Sequence, residues 1–360
     1  MFDNHPLTRR RFLQTASQVA VAASASAVAW GRDSVKDCPF KTRGVVVVVP
    51  DLETLDWPRR AAAAGLTTIG THVTPSQVSA FLESAKGRAF LDKCADLRIE
   101  VEHELHAMGE LLPRELFKKD PGMFRMNDRG ERTPDANFCP HSTAALEVIC
   151  EKGVSFARVL RATTGRYFYW IDDGQPMCRC PKCRGLSDSD QALLMENRLV
   201  EAIQEVHPGA TLAHLAYAKT LQPPTQVKPD PRVFLEFAPI HRLHDKPLAQ
   251  RDAFYGPPET GLSHGRVLDA LDANLAVFPA ATAQALEYWL DVSRFSGWKR
   301  EKTVKLPWHE SVFRSDLNEY AKRGIRHVTS FAAWIDGEYV RRFGEPPLEA
   351  YGRGFFEWNG

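Results

Sequence analysis

The sequence predicts an α/β fold, a (β/α)8 barrel of the TIM type built as a single domain with a Cys-rich loop after strand four. Three observations carry this. Short β-rich runs alternate with longer amphipathic ones, and the first strand holds five consecutive valines. The 360-residue chain also leaves about 330 residues once an N-terminal signal is set aside, which suits one barrel better than two ordinary domains.

Residues 1–29 read as a twin-arginine signal peptide. Thr8-Arg9-Arg10-Arg11-Phe12-Leu13-Gln14 precedes a weakly apolar run that ends in the small residues Ala25-Ser26-Ala27-Val28-Ala29. The alternative is a basic N-terminus that is never cleaved. Residues 30–43 then form a linker and 44–360 the barrel domain. The expected location is periplasmic or extracellular, with the twin-arginine translocase as partner during export of the folded chain. A net charge of +1 gives no electrostatic footprint for nucleic acid. After the signal no stretch reaches the ~18 apolar residues of a membrane span.

The strands are expected at Gly44–Pro50, Leu66–His72, Arg98–Leu105, Tyr167–Ile171, Thr211–Tyr217, Val233–Pro239, Gln284–Trp289 and Val328–Trp334, eight in all. Between them, helical periodicity covers Trp57–Ala64, Ser76–Ala95, Ser142–Thr164, a stretch from about Asp190 to Val206, Val267–Ala276 and Ser311–Arg323. Ser187 and Asp188 are candidate caps of the helix that His207-Pro208-Gly209 stops. The irregular stretch Pro113–Pro140 is longer than an ordinary βα connection, which marks it as a functional loop.

Strand four ends in Tyr169-Trp170-Ile171-Asp172-Asp173-Gly174, two carboxylates and an aromatic at the edge of the barrel where catalytic groups sit. Cleaving a glycosidic bond needs a protonated acid for the leaving oxygen and a second carboxylate as nucleophile, base or positioning group. Adjacent strand residues point to opposite sides, so one of the pair faces the pocket. Asp173 is the preferred catalytic residue and Asp172 the one that orients a loop. A plain Asp-Asp-Gly turn is the alternative. The second carboxylate is expected at Glu287, in Leu286-Glu287-Tyr288-Trp289-Leu290-Asp291 on strand seven, against the competing reading of a structural ion pair with Arg242.

Trp170, Tyr217, Tyr288, Trp289 and Trp334, with Trp57, Trp298 and Trp308, fall at strand ends, where rings stack on sugar faces or pack in the core. Further candidate substrate contacts are His103 and His106 in the Glu/His alternation of strand three, Glu236, His241 and Arg242 on and after strand six, and Asp336 after strand eight.

Cys178-Arg179-Cys180-Pro181-Lys182-Cys183 brings three thiols into six residues, a spacing that suits zinc, with Cys139 or His141 as the expected fourth ligand. A disulfide plus a free thiol, or unligated cysteines, are the alternatives, and the total of seven cysteines is odd. Structural zinc is the expected cofactor, and no organic cofactor is expected. Cys38, Cys94 and Cys150 lie apart and are given no role.

In order along the chain come Phe138-Cys139, Asp173-Gly174 with Cys178, Cys180 and Cys183, Asn197, Leu215-Ala216-Tyr217 with Pro223-Pro224, and Pro239 with Arg242. From about Asn137 to Gly337 this order resembles the family known as domain of unknown function 4838, whose characterised relatives form glycoside hydrolase family 163. The resemblance implies a TIM-type barrel acting on a carbohydrate substrate, as an endo-β-N-acetylglucosaminidase on complex N-glycans. Strand seven departs from it, reading Glu287-Tyr288-Trp289-Leu290-Asp291 where a Trp-Asp-Tyr stretch is expected, so Glu287 and Asp291 both stay open as the second carboxylate. The leading expectation is an exported glycoside hydrolase. A non-catalytic carbohydrate-binding barrel and a metal-dependent exported enzyme using the Cys cluster compete with it.

Overall fold

The computed structural model describes residues 38–257 and 259–357. The expected signal peptide at 1–29, and most of the expected linker, lie outside them. The eight strands are Thr42–Val48 (β1), Thr68–His72 (β2), Glu100–His106 (β3), Arg166–Trp170 (β4), Thr211–Ala216 (β5), Val233–Phe237 (β6), Gln284–Glu287 (β7) and His327–Phe331 (β8). Each pairs in parallel with its neighbours in the chain, and β8 returns to β1 to close the barrel through Thr42↔His327 to Val46↔Phe331. Thr42 and Arg43, expected in the linker, already belong to β1.

The valine run explains itself in this arrangement. Val45 and Val47 pack into the layer between strands and helices, and Val46 joins a second apolar cluster inside the barrel with Phe168, Trp170 and Phe234. A strand buried on both faces has no polar side to present, and its β-branched residues pack well on a pleated surface.

The helices follow the expected periods with one correction. The single helix expected over Ser76–Ala95 is two, Pro75–Glu83 and Ala85–Leu97. Ser84 is extended between them and its hydroxyl accepts from the Gly87 amide. A Cβ at Gly87 would lie 1.9 Å from the Phe81 carbonyl oxygen, so the tight junction requires glycine. The helix Asp188–Gln204 carries the full capping box, Ser187 and Asp190 each bonding the other's backbone amide. A two-stranded hairpin, Phe254–Tyr255 with Leu262–Ser263, rises beside the mouth of the barrel and was not foreseen. Among the described residues no helix is long and apolar enough to cross a membrane.

The helix Leu348–Gly354 locks against the first turn of the fold. The Tyr351 hydroxyl donates to the Gly44 carbonyl at 2.8 Å, and a Cβ on Gly352 would fall 1.7 Å from the Ala64 carbonyl oxygen. We expect Gly352→Ala to cost about 2–3 kcal/mol by overpacking, whereas Gly109→Ala, with nothing within 4 Å of the added atom, is neutral or slightly stabilising. Urea unfolding of the two variants checks this, and equal midpoints would contradict it.

Candidate active site

The inward residues of the strands build the site from the bottom up. Arg166 lies lowest, bonding Gln284 at 2.8 Å, 3.7 Å from Glu102 and with its guanidinium 4.3 Å from the centre of the Phe234 ring. Above it Gln284 donates to Glu104 at 3.3 Å and to Glu236 at 3.4 Å. Burial pushes Glu236 up to about 8, against the pull of the Trp170 indole N–H that it accepts at 2.7 Å. Burial, and then the nearby charge of Glu236, likewise raise Glu104 well above the ordinary carboxyl range. Two buried carboxyls pressed together share a proton rather than both ionise.

Trp170 therefore stands on a hydrogen-bonded pedestal, and it forms the floor of a cavity of about 340 Å³ at the C-terminal mouth. His72 and His106 line it beside Trp170, their rings 5.0 Å apart. Burial holds His72 down at about 3, so its ring is neutral, with Nδ1 2.5 Å from the Glu104 carbonyl oxygen. Tyr217, Tyr288, Phe331, Trp298 and Trp334 complete an aromatic wall. Trp334 has a left-handed backbone (φ 67°), and its amide is held by the buried carboxylate of Asp51. Trp298 is 62% exposed at the rim.

Asp172 and Asp173 both border the cavity, with different partners. Asp172 bonds the Arg114 guanidinium and the Asn137 amide, and its own amide donates to the Asn137 side chain at 3.0 Å. Asp173 is exposed, and burial first, then the Asp173 carboxylate beside it, suppress the acidity of the Tyr217 hydroxyl. His241 stacks beside Tyr217 with centroids 6.4 Å apart and continues to Tyr255 of the hairpin at 6.0 Å.

Of the other residues expected at the site, Trp170, His106, Tyr217, Tyr288 and Trp334 line the cavity, and Glu236 lies beneath its floor. Four expectations are corrected by the pleat. Glu287 and His103 sit on the helix side of their strands, and Trp289, just past the end of β7, and Arg242, on the loop after β6, turn the same way. Glu287 is fully buried, bonded by Arg242 at 3.0 Å and by the Tyr320 hydroxyl at 2.5 Å. Arg242 also reaches Asp316 at 2.7 Å, and the Trp289 indole N–H donates to Asp316 at 3.0 Å. The structural ion pair with Arg242 is thus what forms. His103 bonds Thr71 at 2.7 Å in the helix layer. Asp336 is also corrected: it caps the helix Gly337–Phe343 and pairs with Arg300. The acidic residue near strand seven that does border the cavity is Asp291. Its Oδ1 accepts from the Ser293 amide and hydroxyl and the Arg294 amide, while Oδ2 takes none of these bonds. His72 was missed, although it ends β2 as His106 ends β3. Lys219 and Gln175 lie on loops that carry no strand signal.

Cys139, Cys178, Cys180 and Cys183 are all buried, with their sulfurs within 4.8 Å of one another, an arrangement able to hold a metal ion. None of them borders the cavity. With Cys139 as fourth ligand, a tetrahedral ion keeps no open position for substrate, unlike the three-thiolate centre of a metal-dependent enzyme.

Two solved structures share this architecture. One is the β-N-acetylhexosaminidase from Bacteroides fragilis, 12% identical over 88% of this chain with a TM-score of 0.52. The other is a tri-modular GH5 (subfamily 4) endo-β-1,4-glucanase from Bacillus licheniformis complexed with cellotetraose, 10% identical over 90% of this chain with a TM-score of 0.51. This chain spans 65% of the first and 60% of the second. At such identities the likeness defines the fold, a glycoside-hydrolase-like (β/α)8 barrel. The sequence is more specific: the chain belongs to the family described as domain of unknown function (DUF4838), whose profile matches residues 47–256. No curated protein matches it.

Two outcomes are expected from this geometry. Glu236 sits above its ordinary 4.5, so the stabilisation its neutral form gives is complete below about 4.5 and lost as pH climbs through about 8. Glu236→Gln, uncharged at every pH, should show a flatter decline in urea-unfolding free energy from about pH 5 to about pH 9, and parallel curves would refute the assignment. Glu287→Gln should lower stability by about 3 kcal/mol by leaving a buried cation short of a partner, and a variant as stable as the wild type would return Glu287 to the list of catalytic candidates.

Proposed function

We propose that the protein is an exported glycoside hydrolase acting on an oligosaccharide or glycan, with N-acetylglucosamine-containing glycans as the first substrates to test. The observation that carries this reading is Asp173, the exposed member of the pair after β4, set against a tyrosine hydroxyl on an aromatic cavity wall. Asp173 acts as general acid at the leaving oxygen. Asp172 orients it, through the bonds that tie the end of β4 to Arg114 and Asn137. Asp291, with Oδ2 outside its capping bonds, is the partner carboxylate in place of Glu287. Trp170, Tyr288 and Trp334 supply apolar faces for a sugar inside the cavity, and Trp298 a platform for the next sugar at the rim. A relation to glycoside hydrolase family 163, and export by the twin-arginine route to the periplasm or beyond, belong to the same proposal.

A second reading is favoured by one observation. Asp172 and Asp291 are already engaged by Arg114 and by helix-capping bonds, which leaves a sugar-binding barrel without hydrolysis as the competitor. Release of reducing ends from a panel of N-acetylglucosamine-containing and plant-type oligosaccharides decides between them. We expect the wild type to cleave, Asp173→Asn to lose about 10²- to 10⁴-fold in kcat with binding retained, and Trp298→Ala mainly to raise KM. A wild type that binds glycans and cleaves none overturns the hydrolase reading in favour of the binding barrel.

A further inference from the structure

The four-cysteine group lies apart from the cavity, and its chemistry stands independently of the hydrolase reading. Cys178, Cys180 and Cys183 come from the loop after β4, and Cys139 from the long loop after β3. Cys139 Sγ lies 3.9 Å from both Cys180 Sγ and Cys183 Sγ, and the last two are 3.4 Å apart. A tetrahedron with ligand bonds of about 2.3 Å has edges of about 3.8 Å, which these separations approach. A disulfide needs about 2.05 Å, and no pair is near it. With all four sulfurs within 4.8 Å, there is room for one ion and none for a cluster of several iron atoms with bridging sulfides.

The surroundings are those of thiolates rather than of an ordinary apolar core. The four cysteines form their own buried group, with Met126 the partly buried hydrophobic packed against it. The Met126 amide donates to Cys178 Sγ at 3.3 Å and the Cys180 amide to the same sulfur at 3.5 Å. The Arg132 guanidinium lies 3.6 Å from it. Four thiolates around a divalent ion leave two negative charges, and N–H donors with one guanidinium disperse them.

We propose that these four cysteines hold a single structural zinc ion whose task is to clamp the loop after β3 onto the loop after β4. The consequence reaches the cavity through two residues. Asn137 stands two positions before Cys139, its backbone left-handed at φ 47°. Its side chain donates to the carbonyls of Gln175 at 3.2 Å and Pro176 at 3.1 Å, and its amide bonds Asp172. The clamp therefore fixes the segment that carries Asp172 and Asp173, with a closed set of ligands and no position for substrate.

The test is metal analysis of the full-length protein purified without chelator, with thiols counted under denaturing conditions. We expect seven thiols in the denatured count, and about one zinc per chain that survives desalting and is released, as read by a chromogenic chelator, as a mercurial titrates the cysteines. Cobalt in its place should give thiolate-to-metal charge-transfer absorption typical of a tetrahedral sulfur site. Cys180→Ser should lose most of the zinc, while Cys38→Ser, remote from the group, keeps it. If Cys180→Ser does not fold, the zinc content and thiol count of the wild type decide alone. Metal-free protein, whether its four thiols are paired as disulfides or free and reactive, overturns the proposal, as does iron in place of zinc.

Discussion

In a closed parallel barrel every strand residue has one of two destinations, the lumen or the layer beneath the helices, and the pleat assigns them in strict alternation. The site depends on that parity. On β3 it turns Glu102, Glu104 and His106 inward and His103 outward to Thr71. At the end of β7 it sends Leu286 and Tyr288 to the cavity and Glu287 and Trp289 to the helices, where Arg242, Asp316 and Tyr320 are waiting for them. A shift of one residue in either strand would bury a charge in an aromatic wall or strand a tyrosine among ions.

The lumen shows how this parity is made tolerable. Glu102, Glu104 and Glu236 point into a fully buried interior that offers Arg166 as the guanidinium beside them. Protons make up the difference: burial raises all three carboxyls, and Gln284 donates between two of them. The result is a rigid polar plug in place of the usual layers of branched aliphatics. It supports Trp170 through one short hydrogen bond, so the shape of the cavity floor is tied to the protonation of groups that lie beneath it.

Much of this was legible in the sequence. Five valines in a row, alternating β and α periods and the Ser187–Asp190 box mark elements by mechanisms that act locally, and those elements formed close to where expected, except that the fifth valine and Pro50 leave the strand and open the short helix Val49–Leu52. The position at the cavity of Asp172, Asp173, Trp170, Tyr217, Tyr288, Trp298 and Trp334 was legible too, because the C-terminal edge of a barrel strand is a definable address, whereas Trp57, Trp289 and Trp308 pack in the core. Glu287 was legible only in its alternative, the ion pair with Arg242, since its strand phase depends on where β7 begins against β6 and β8, and the guanidinium that neutralises it comes from the loop after β6. Asp336 misled for a related reason: an acidic residue just past a strand is equally suited to capping the next helix. The break at Ser84 hides behind a continuous amphipathic pattern, and the close approach of Phe81 to Gly87 that reveals it is a fact of three dimensions.

The closing register of the barrel also has a consequence for how the chain is made. Thr42 pairs with His327, so the most apolar strand of the protein has its last edge covered only when the final strand has left the ribosome. Until then the edge of β1 from Thr42 to Val46 presents unpaired backbone donors and acceptors, the kind of surface that recruits other chains. Contacts of such long sequence separation also form slowly. The nascent protein therefore carries an uncovered edge on its most apolar strand through nearly its whole synthesis.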